Sequence, residues 1–207
     1  MQLREGAARL RGFTLIELMV TVAIVAILTL IALPNLATWM ANSRVRTTAE
    51  VMQNGLRTAQ AEAVKQARQT EFVLSNDLKQ PSDIAGGALP TPTAGGKYWY
   101  VMSVPFVTAD NNAFALIATG VTGDVAKNVT VTSAATAICF SSYGRISPAS
   151  NNPSGTCSSF DTGSSPPSYT MQVSATGANR PLNVVVTSAG SVRMCDPAHN
   201  GTAADGC

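Results

Sequence analysis

The chain has 207 residues, of which 45% are hydrophobic and 13% are charged, so it contains enough apolar side chains for a packed domain. Fourteen lysines and arginines stand against 12 aspartates and glutamates, for a net charge of +2. This near balance excludes a protein that binds nucleic acid or anionic lipid through bulk positive charge.

The most apolar part of the chain is residues 12–34, GFTLIELMVTVAIVAILTLIALP, in which Glu17 is the only charged residue. A segment of this length can span a bilayer, and it is longer than the apolar part of an ordinary secretory signal. A carboxylate at mid-membrane costs about 2.5–3.5 kcal/mol, so Glu17 requires a compensating partner. We therefore predict a membrane-spanning helix over residues 13–34, with any leader removed before it.

The distribution of positive charge predicts how this helix is oriented. Three arginines precede the apolar segment, and the first basic residue after it is Arg44. The positive-inside rule therefore keeps the short amino-terminal end in the cytoplasm and exports everything downstream. No second apolar segment of membrane length follows, so we expect a single-pass membrane protein whose downstream domain is exported.

Residues 11–17, RGFTLIE, resemble the class III leader of type IV pilins and type II secretion pseudopilins. The resemblance implies that a prepilin peptidase removes residues 1–12 by cutting between Gly12 and Phe13 and then methylates the new amino group of Phe13. It also implies that Glu17 pairs with the Phe13 amine of a neighbouring filament subunit. The alternative is a generic signal anchor whose Glu17 reaches the lipid headgroups. Removal of the leader leaves 11 residues of each charge.

Residues 35–69 are predicted to continue the helix as an amphipathic half. Apolar or small residues recur at alternating steps of three and four, which places them on one face of a helix. The stripe consists of Val45, Ala49, Met52, Leu56, Ala59, Ala63 and Ala67. We expect Pro34 to bend the helix, where pilin helices commonly kink, and Gly55 to weaken it by about 1 kcal/mol relative to alanine.

Residues 70–207 are predicted to form one β-rich globular domain, because short β-prone runs alternate with turn-forming residues. The predicted strands are residues 72–75, 97–104, 113–118, 129–132, 137–141, 169–173, 182–187 and 191–195. The last two form a hairpin with Gly190 at its turn. Residues 81–96 and 147–168 have the composition of loops, either plain solvated connections or recognition surfaces. The fold class is α+β and type IV pilin-like, with a long helix packed on an antiparallel sheet around one core.

The four cysteines indicate an oxidising compartment and two disulfides. Of the three possible pairings we favour Cys139–Cys157 and Cys195–Cys207, because each closes a short local loop with little core to hold it. A zinc site is the alternative, but no Cys-x-x-Cys spacing occurs and His199 is the only histidine. We predict no metal and no cofactor.

Three further segments resemble the GspH/FimT family of minor pilins and pseudopilins. They are the Ala-rich helix end at residues 56–65, the strand and turn CFSSYGR at residues 139–145, and the hairpin GSVRMC at residues 190–195. Some minor pilins of this family bind DNA through paired basic residues of the last hairpin. Here Arg193 matches and Ser191 replaces the other residue, so DNA binding would depend on a modest patch of Arg193, Arg145, Arg180 and Lys127.

The leading functional prediction is a structural minor pilin that joins, and primes, a type IV pilus. The first alternative is pseudopilin H of the type II secretion system, and the second is a DNA-binding minor pilin for natural transformation. No catalytic motif is present, so we predict that the chain is not an enzyme. The implied partners are the prepilin peptidase, other pilins or pseudopilins, the inner membrane and its assembly platform.

Overall fold

The computed structural model describes residues 12–105, 114–122, 128–133, 135–147, 157, 168–199 and 201–207. The chain divides into two compact units, Met1–Thr38 and Trp39–Cys207. The predicted leader, apart from Gly12, lies outside the described residues, as does most of the predicted loop at residues 147–168.

The first helix, α1, spans Leu15–Lys65 and contains 51 residues. It begins two residues after Phe13 because Thr14 caps it: the Thr14 Oγ1 accepts a hydrogen bond from the backbone N–H of Glu17 at 3.3 Å. Thr14 and Glu17 have the Thr-x-x-Glu spacing of a capping box, and the structure shows the Thr14 half of it. The helix continues through position 34, and the bend expected at Pro34 stays a prediction.

The carboxyl-terminal end of α1 comes earlier than the prediction of residue 69. Ala67 has a φ of 49°, in the left-handed region. The Arg68 N–H donates to the Ala63 carbonyl at 3.1 Å and the Ala67 N–H to the Val64 carbonyl at 3.2 Å. These two bonds form a Schellman motif, which ends the helix. Ala67 is consequently exposed, and its assignment to the apolar stripe was wrong.

The remaining six members of the stripe are fully buried, which confirms the helical pattern read from the sequence. They lie in the main hydrophobic core together with side chains of strands from both sheets described below. Burial of a whole helical face stabilises the second unit far more than the intrinsic helix propensity of these residues.

Among the described residues, eight strands lie at the eight predicted places. They are β1 (Thr70–Ser75), β2 (Tyr98–Ser103), β3 (Ala115–Val121), β4 (Val129–Ser133), β5 (Ala137–Phe140), β6 (Ser168–Ala175), β7 (Leu182–Thr187) and β8 (Val192–Cys195). All pairings are antiparallel, which confirms the α+β class. The strands form two sheets rather than one, in the orders β3-β2-β1-β5 and β4-β6-β7-β8.

A second hydrophobic cluster lies on the other side of the first sheet, so the expectation of one core was incomplete. All six residues of β1 are buried, because the main core covers one face and this second cluster covers the other. A short helix, α2 (Pro81–Ala85), contributes Ile84 to the second cluster. It lies inside the segment predicted to be a loop, where Pro81 occupies a first-turn position that suits proline.

Gly55 has a packing role that the sequence did not reveal. The rings of Phe72 and Trp99 stack with their centroids 5.9 Å apart, and both rings press against the helix at Gly55. A Cβ at this position would lie 2.9 Å from the Phe72 ring. The glycine therefore lowers the helix propensity but lets α1 approach the first sheet closely.

Candidate functional site

The amino-terminal apolar segment is the first candidate site. It contains the one helix among the described residues that is long and apolar enough to cross a membrane, with a mean hydropathy of 2.7 over its most apolar 18 residues. None of that window is buried within the chain, and Phe13 is 85% exposed. An apolar surface of this extent is unfavourable in water, so lipid or other helices must cover it.

Glu17 lies in the first turn of this helix with its side chain exposed. A carboxylate there faces the partial positive charge at the helix amino terminus, which stabilises it modestly. The described residues give Glu17 no ion-pair partner within the chain. The arrangement leaves its charge available to a cation supplied from outside the chain.

Polar side chains of α1 bond to the two GspH/FimT-like segments outside the helix, residues 139–145 and 190–195. Gln60 donates a hydrogen bond to the Gly144 carbonyl at 2.8 Å. Arg57 donates to the Val192 carbonyl at 3.2 Å, and Gln53 reaches the same oxygen at 3.5 Å. These three side chains therefore connect the helix to the turn after β5 and to the start of β8.

The turn after β5 also contacts the β7–β8 hairpin directly. Gly190, with a φ of 91°, packs against the carbonyl oxygen of Gly144 and the side-chain amide of Gln60. The Ile146 N–H donates to the Ser188 carbonyl at 3.3 Å. The structure thus brings together the segments 139–145 and 190–195, which the sequence placed in different parts of the chain.

Both disulfides join the cysteines that the sequence analysis paired. Cys139 is bonded to Cys157 and Cys195 to Cys207, with Cα–Cα distances of 5.6 Å and 5.1 Å. The first bond anchors the end of β5, and the second fixes the carboxyl-terminal tail to the end of β8. All four sulfurs are occupied in this way, so none is a thiolate ligand for zinc.

Comparison with known proteins identifies the family. The protein-family model described as type II transport protein GspH matches residues 48–190. A second family model, described as prokaryotic N-terminal methylation motif, matches residues 8–33. The chain belongs to the GspH family. Its members are structural subunits, pseudopilins and minor pilins, rather than enzymes.

Solved structures that are similar to this chain come from two bacteria. The type IV minor pilin FimU of Pseudomonas aeruginosa, solved in two crystal forms, is 15% identical to this chain. The TM-scores are 0.45 and 0.47. The alignments cover 74% and 78% of this chain and 94% and 95% of the FimU chains. The solution structure of Escherichia coli GspH is 11% identical, with a TM-score of 0.43, and covers 75% of this chain and 90% of its own. No curated protein matches the chain.

In this GspH-family chain, the three arginines expected to contact DNA have different surroundings. Arg180 forms a 2.9 Å ion pair with Asp196 and lies 3.7 Å from a carboxylate oxygen of Asp205. Arg193 donates weakly to the main-chain oxygens of Gly206 and Cys207, at 3.4 and 3.5 Å. Arg145 is exposed on the turn after β5, and Lys127, the fourth residue of the expected patch, lies outside the described residues. The tail therefore engages two of the three side chains.

The same tail contains the described group of side chains with metal-ligating geometry. Ligand atoms of Asp196, His199 and Asp205 lie within 4.8 Å of one another. The backbone N–H of Ala198 and the guanidinium of Arg180 hold the pKa of Asp196 below its usual value of 3.8. A cation would have to compete with Arg180 for the Asp196 carboxylate, and Asp205 already lies 2.9 Å from His199 Nδ1.

Proposed function

We propose that this chain is a structural subunit of an extracytoplasmic filament that is assembled from the inner membrane. The observation that carries the proposal is the apolar amino-terminal half of α1, of which the chain buries nothing, in a segment that matches the methylation motif. In the membrane, lipid covers this half; in a filament, the helices of neighbouring subunits replace the lipid.

Processing prepares the chain for assembly. A prepilin peptidase cuts between Gly12 and Phe13, removes residues 1–12 and methylates Phe13. The mature protein then consists of a spanning segment at residues 13–34, an amphipathic half of α1 that the structure ends at Lys65, and the β-rich domain that follows. The amino terminus faces the cytoplasm and the domain faces the periplasm, where both disulfides are stable.

Register in the filament is set by charge. The Glu17 carboxylate pairs with the Phe13 ammonium of a neighbouring subunit, which compensates two charges that would each be costly alone in an apolar environment. The exposed position of Glu17 in the first turn supports this pairing. An inner-membrane assembly platform extracts the paired subunits from the bilayer.

We infer that the filament is a type IV pilus and that the chain is a minor pilin that primes its assembly. Two disulfide-closed loops suit a domain exposed outside the cell, which favours the pilus. The second candidate is pseudopilin H of a type II secretion system, which the description of the matching family model favours. The proposed role is structural, without catalysis or a cofactor. We do not propose DNA uptake, because the chain without its leader carries 11 residues of each charge and Arg180 is ion-paired with Asp196.

Deletion of the gene tests the proposal. Surface pili are scored in sheared fractions and exoprotein release is measured in the same cultures, with the native gene restored as the control. Loss of pili with normal secretion supports the minor pilin, and lost secretion with normal pili supports the pseudopilin. Normal pili together with normal secretion would contradict both.

A further inference from the structure

The turn after β5 presents Tyr143, the most exposed large apolar side chain in the described residues, at 86%. A single exposed aromatic residue is ordinary on a protein surface. Tyr143 differs from such a residue because hydrogen bonds fix the backbone of its turn. The turn connects to Arg145, whose side chain is also exposed.

Several contacts fix the backbone on both sides of Tyr143. The Ser141 N–H donates to the Arg145 carbonyl at 2.8 Å, and the Gly144 N–H donates to the Ser141 carbonyl at 2.8 Å. Gln60 of α1 binds the Gly144 carbonyl, and the Cys139–Cys157 disulfide anchors the preceding strand. A partner that binds here meets a preorganised turn, so association loses little conformational entropy.

The surroundings of the turn combine an apolar contact with positive charge. Val64, at the end of α1, is half exposed and packs against Gly144. Lys65 is 74% exposed beside it. The acidic group of this helix end, Glu62, is already hydrogen-bonded to Lys65 and Gln66, which lowers its pKa. We call Val64, Lys65, Tyr143 and Arg145 the Tyr143 surface.

We propose that the Tyr143 surface is the docking site for an acidic face of a neighbouring filament subunit. Tyrosine and arginine are the residues most often responsible for binding energy at protein interfaces. Lys65 is ion-paired with Glu62, so Arg145 supplies the positive charge that complements a carboxylate on the partner and selects against a basic face. Val64, which packs against Gly144 of the same turn, adds apolar area that favours a protein partner over a nucleic acid. This inference rests on the proposed function, because it takes the partner from the same filament.

Site-specific photocrosslinking in the full-length chain tests the inference. A benzophenone amino acid replaces Tyr143, and in a matched control it replaces Leu78, which is 65% exposed on the loop before α2. We expect a light-dependent adduct from position 143, and not from position 78, with a subunit that carries the methylation motif. The crosslinked peptide of that subunit should contain Asp or Glu.

The charge of the surface is tested by R145E in the chain with the probe at position 143. We expect the adduct to fall about tenfold, whereas R46E, at an exposed arginine elsewhere on α1, leaves it unchanged. Equal adducts from positions 143 and 78, an adduct with nucleic acid, or no adduct from a chain that is present in sheared filaments would each overturn the inference. Absence of the native chain from sheared filaments would instead overturn the proposed function.

Discussion

Gly190 lies against the carbonyl oxygen of Gly144, so that the hairpin of the second sheet and the turn after β5 touch through backbone atoms. Gln60 donates to the same carbonyl. The contact needs glycine at position 190 for two reasons, the positive φ of 91° and the lack of space for a Cβ.

We expect Gly190→Ala to lower the free energy of unfolding by about 2–4 kcal/mol, since it adds a steric clash to the strain of a positive φ. Gly177→Ala is the matched control, because Gly177 has a similar φ of 83° but open space around it. Its loss should be about 1–2 kcal/mol. Denaturant unfolding of the full chain in detergent micelles measures both, and equal losses would mean that the contact with Gly144 is unimportant.

The helix end offers a stabilising substitution. Ala67 adopts a φ of 49°, which is strained for alanine and relaxed for glycine. We expect Ala67→Gly to raise the free energy of unfolding by about 0.5–1 kcal/mol. Ala61→Gly, at an exposed position inside α1, should instead lower it by about 1 kcal/mol. If both glycines destabilise to the same degree in the same unfolding experiment, Ala67 is not at a Schellman position.

Glu17 follows the Thr14 cap in the first turn of α1 and has a proposed role between subunits, and two substitutions separate the cap from the charge. Glu17→Gln keeps a capping-box residue but removes the charge, so we expect normal membrane insertion and loss of the chain from sheared filaments. Thr14→Ala removes the cap, at about 1 kcal/mol, and leaves incorporation intact. Normal incorporation of Glu17→Gln would refute the charge pairing.

The Cys195–Cys207 disulfide should hold the tail without being needed for the sheets. We expect Cys207→Ser to loosen the tail beyond the Arg180–Asp196 ion pair, visible as faster proteolysis after Asp196, while the circular dichroism of the sheets is unchanged. Loss of the 12-residue closed loop lowers stability by up to about 3 kcal/mol. Global unfolding of this variant would show that the tail is part of the core.

The contacts of the Asp196 carboxylate with Arg180 and the Ala198 N–H should depend on pH. Because the Ala198 N–H and Arg180 lower the pKa of Asp196 from 3.8, its stabilising effect is complete above pH 3.8 and disappears as the pH falls through the native value. We expect the native chain to have a higher melting temperature than Asp196→Asn at pH 6 and the two to converge in acid. A constant difference from pH 6 to pH 2 would contradict this assignment.

The sequence predicted those features that depend on local pattern. The spacing of Val45 to Ala63 gave the buried face of α1, and runs of β-prone residues gave all eight strands. The exception at Ala67 arises because a left-handed residue ends the helix although its spacing fits the stripe. A proline- and glycine-rich composition likewise concealed α2, because proline suits the first turn of a helix as well as a loop.

The relationships that escaped prediction are those between distant segments. Alternating patterns show which residues form strands but not which strands pair, so the division into two sheets was not evident. The Arg180–Asp196 ion pair joins residues from separate turns, and the exposed Tyr143 acquires meaning only from the contacts that hold its turn. The Thr14 cap was readable as Thr-x-x-Glu, a signature shared with the leader resemblance.

Both disulfides close loops within the strand region, and neither joins α1 to a sheet. A pulling force applied through the amino-terminal segment is therefore resisted along α1 by shear of the buried stripe and by the Gln53, Arg57 and Gln60 hydrogen bonds. After the helix detaches, residues 140–156 and 196–206 remain closed to extension. The fully stretched chain is consequently shorter than a chain of 207 residues without disulfides. Chemical reduction of the two disulfides would restore the missing length.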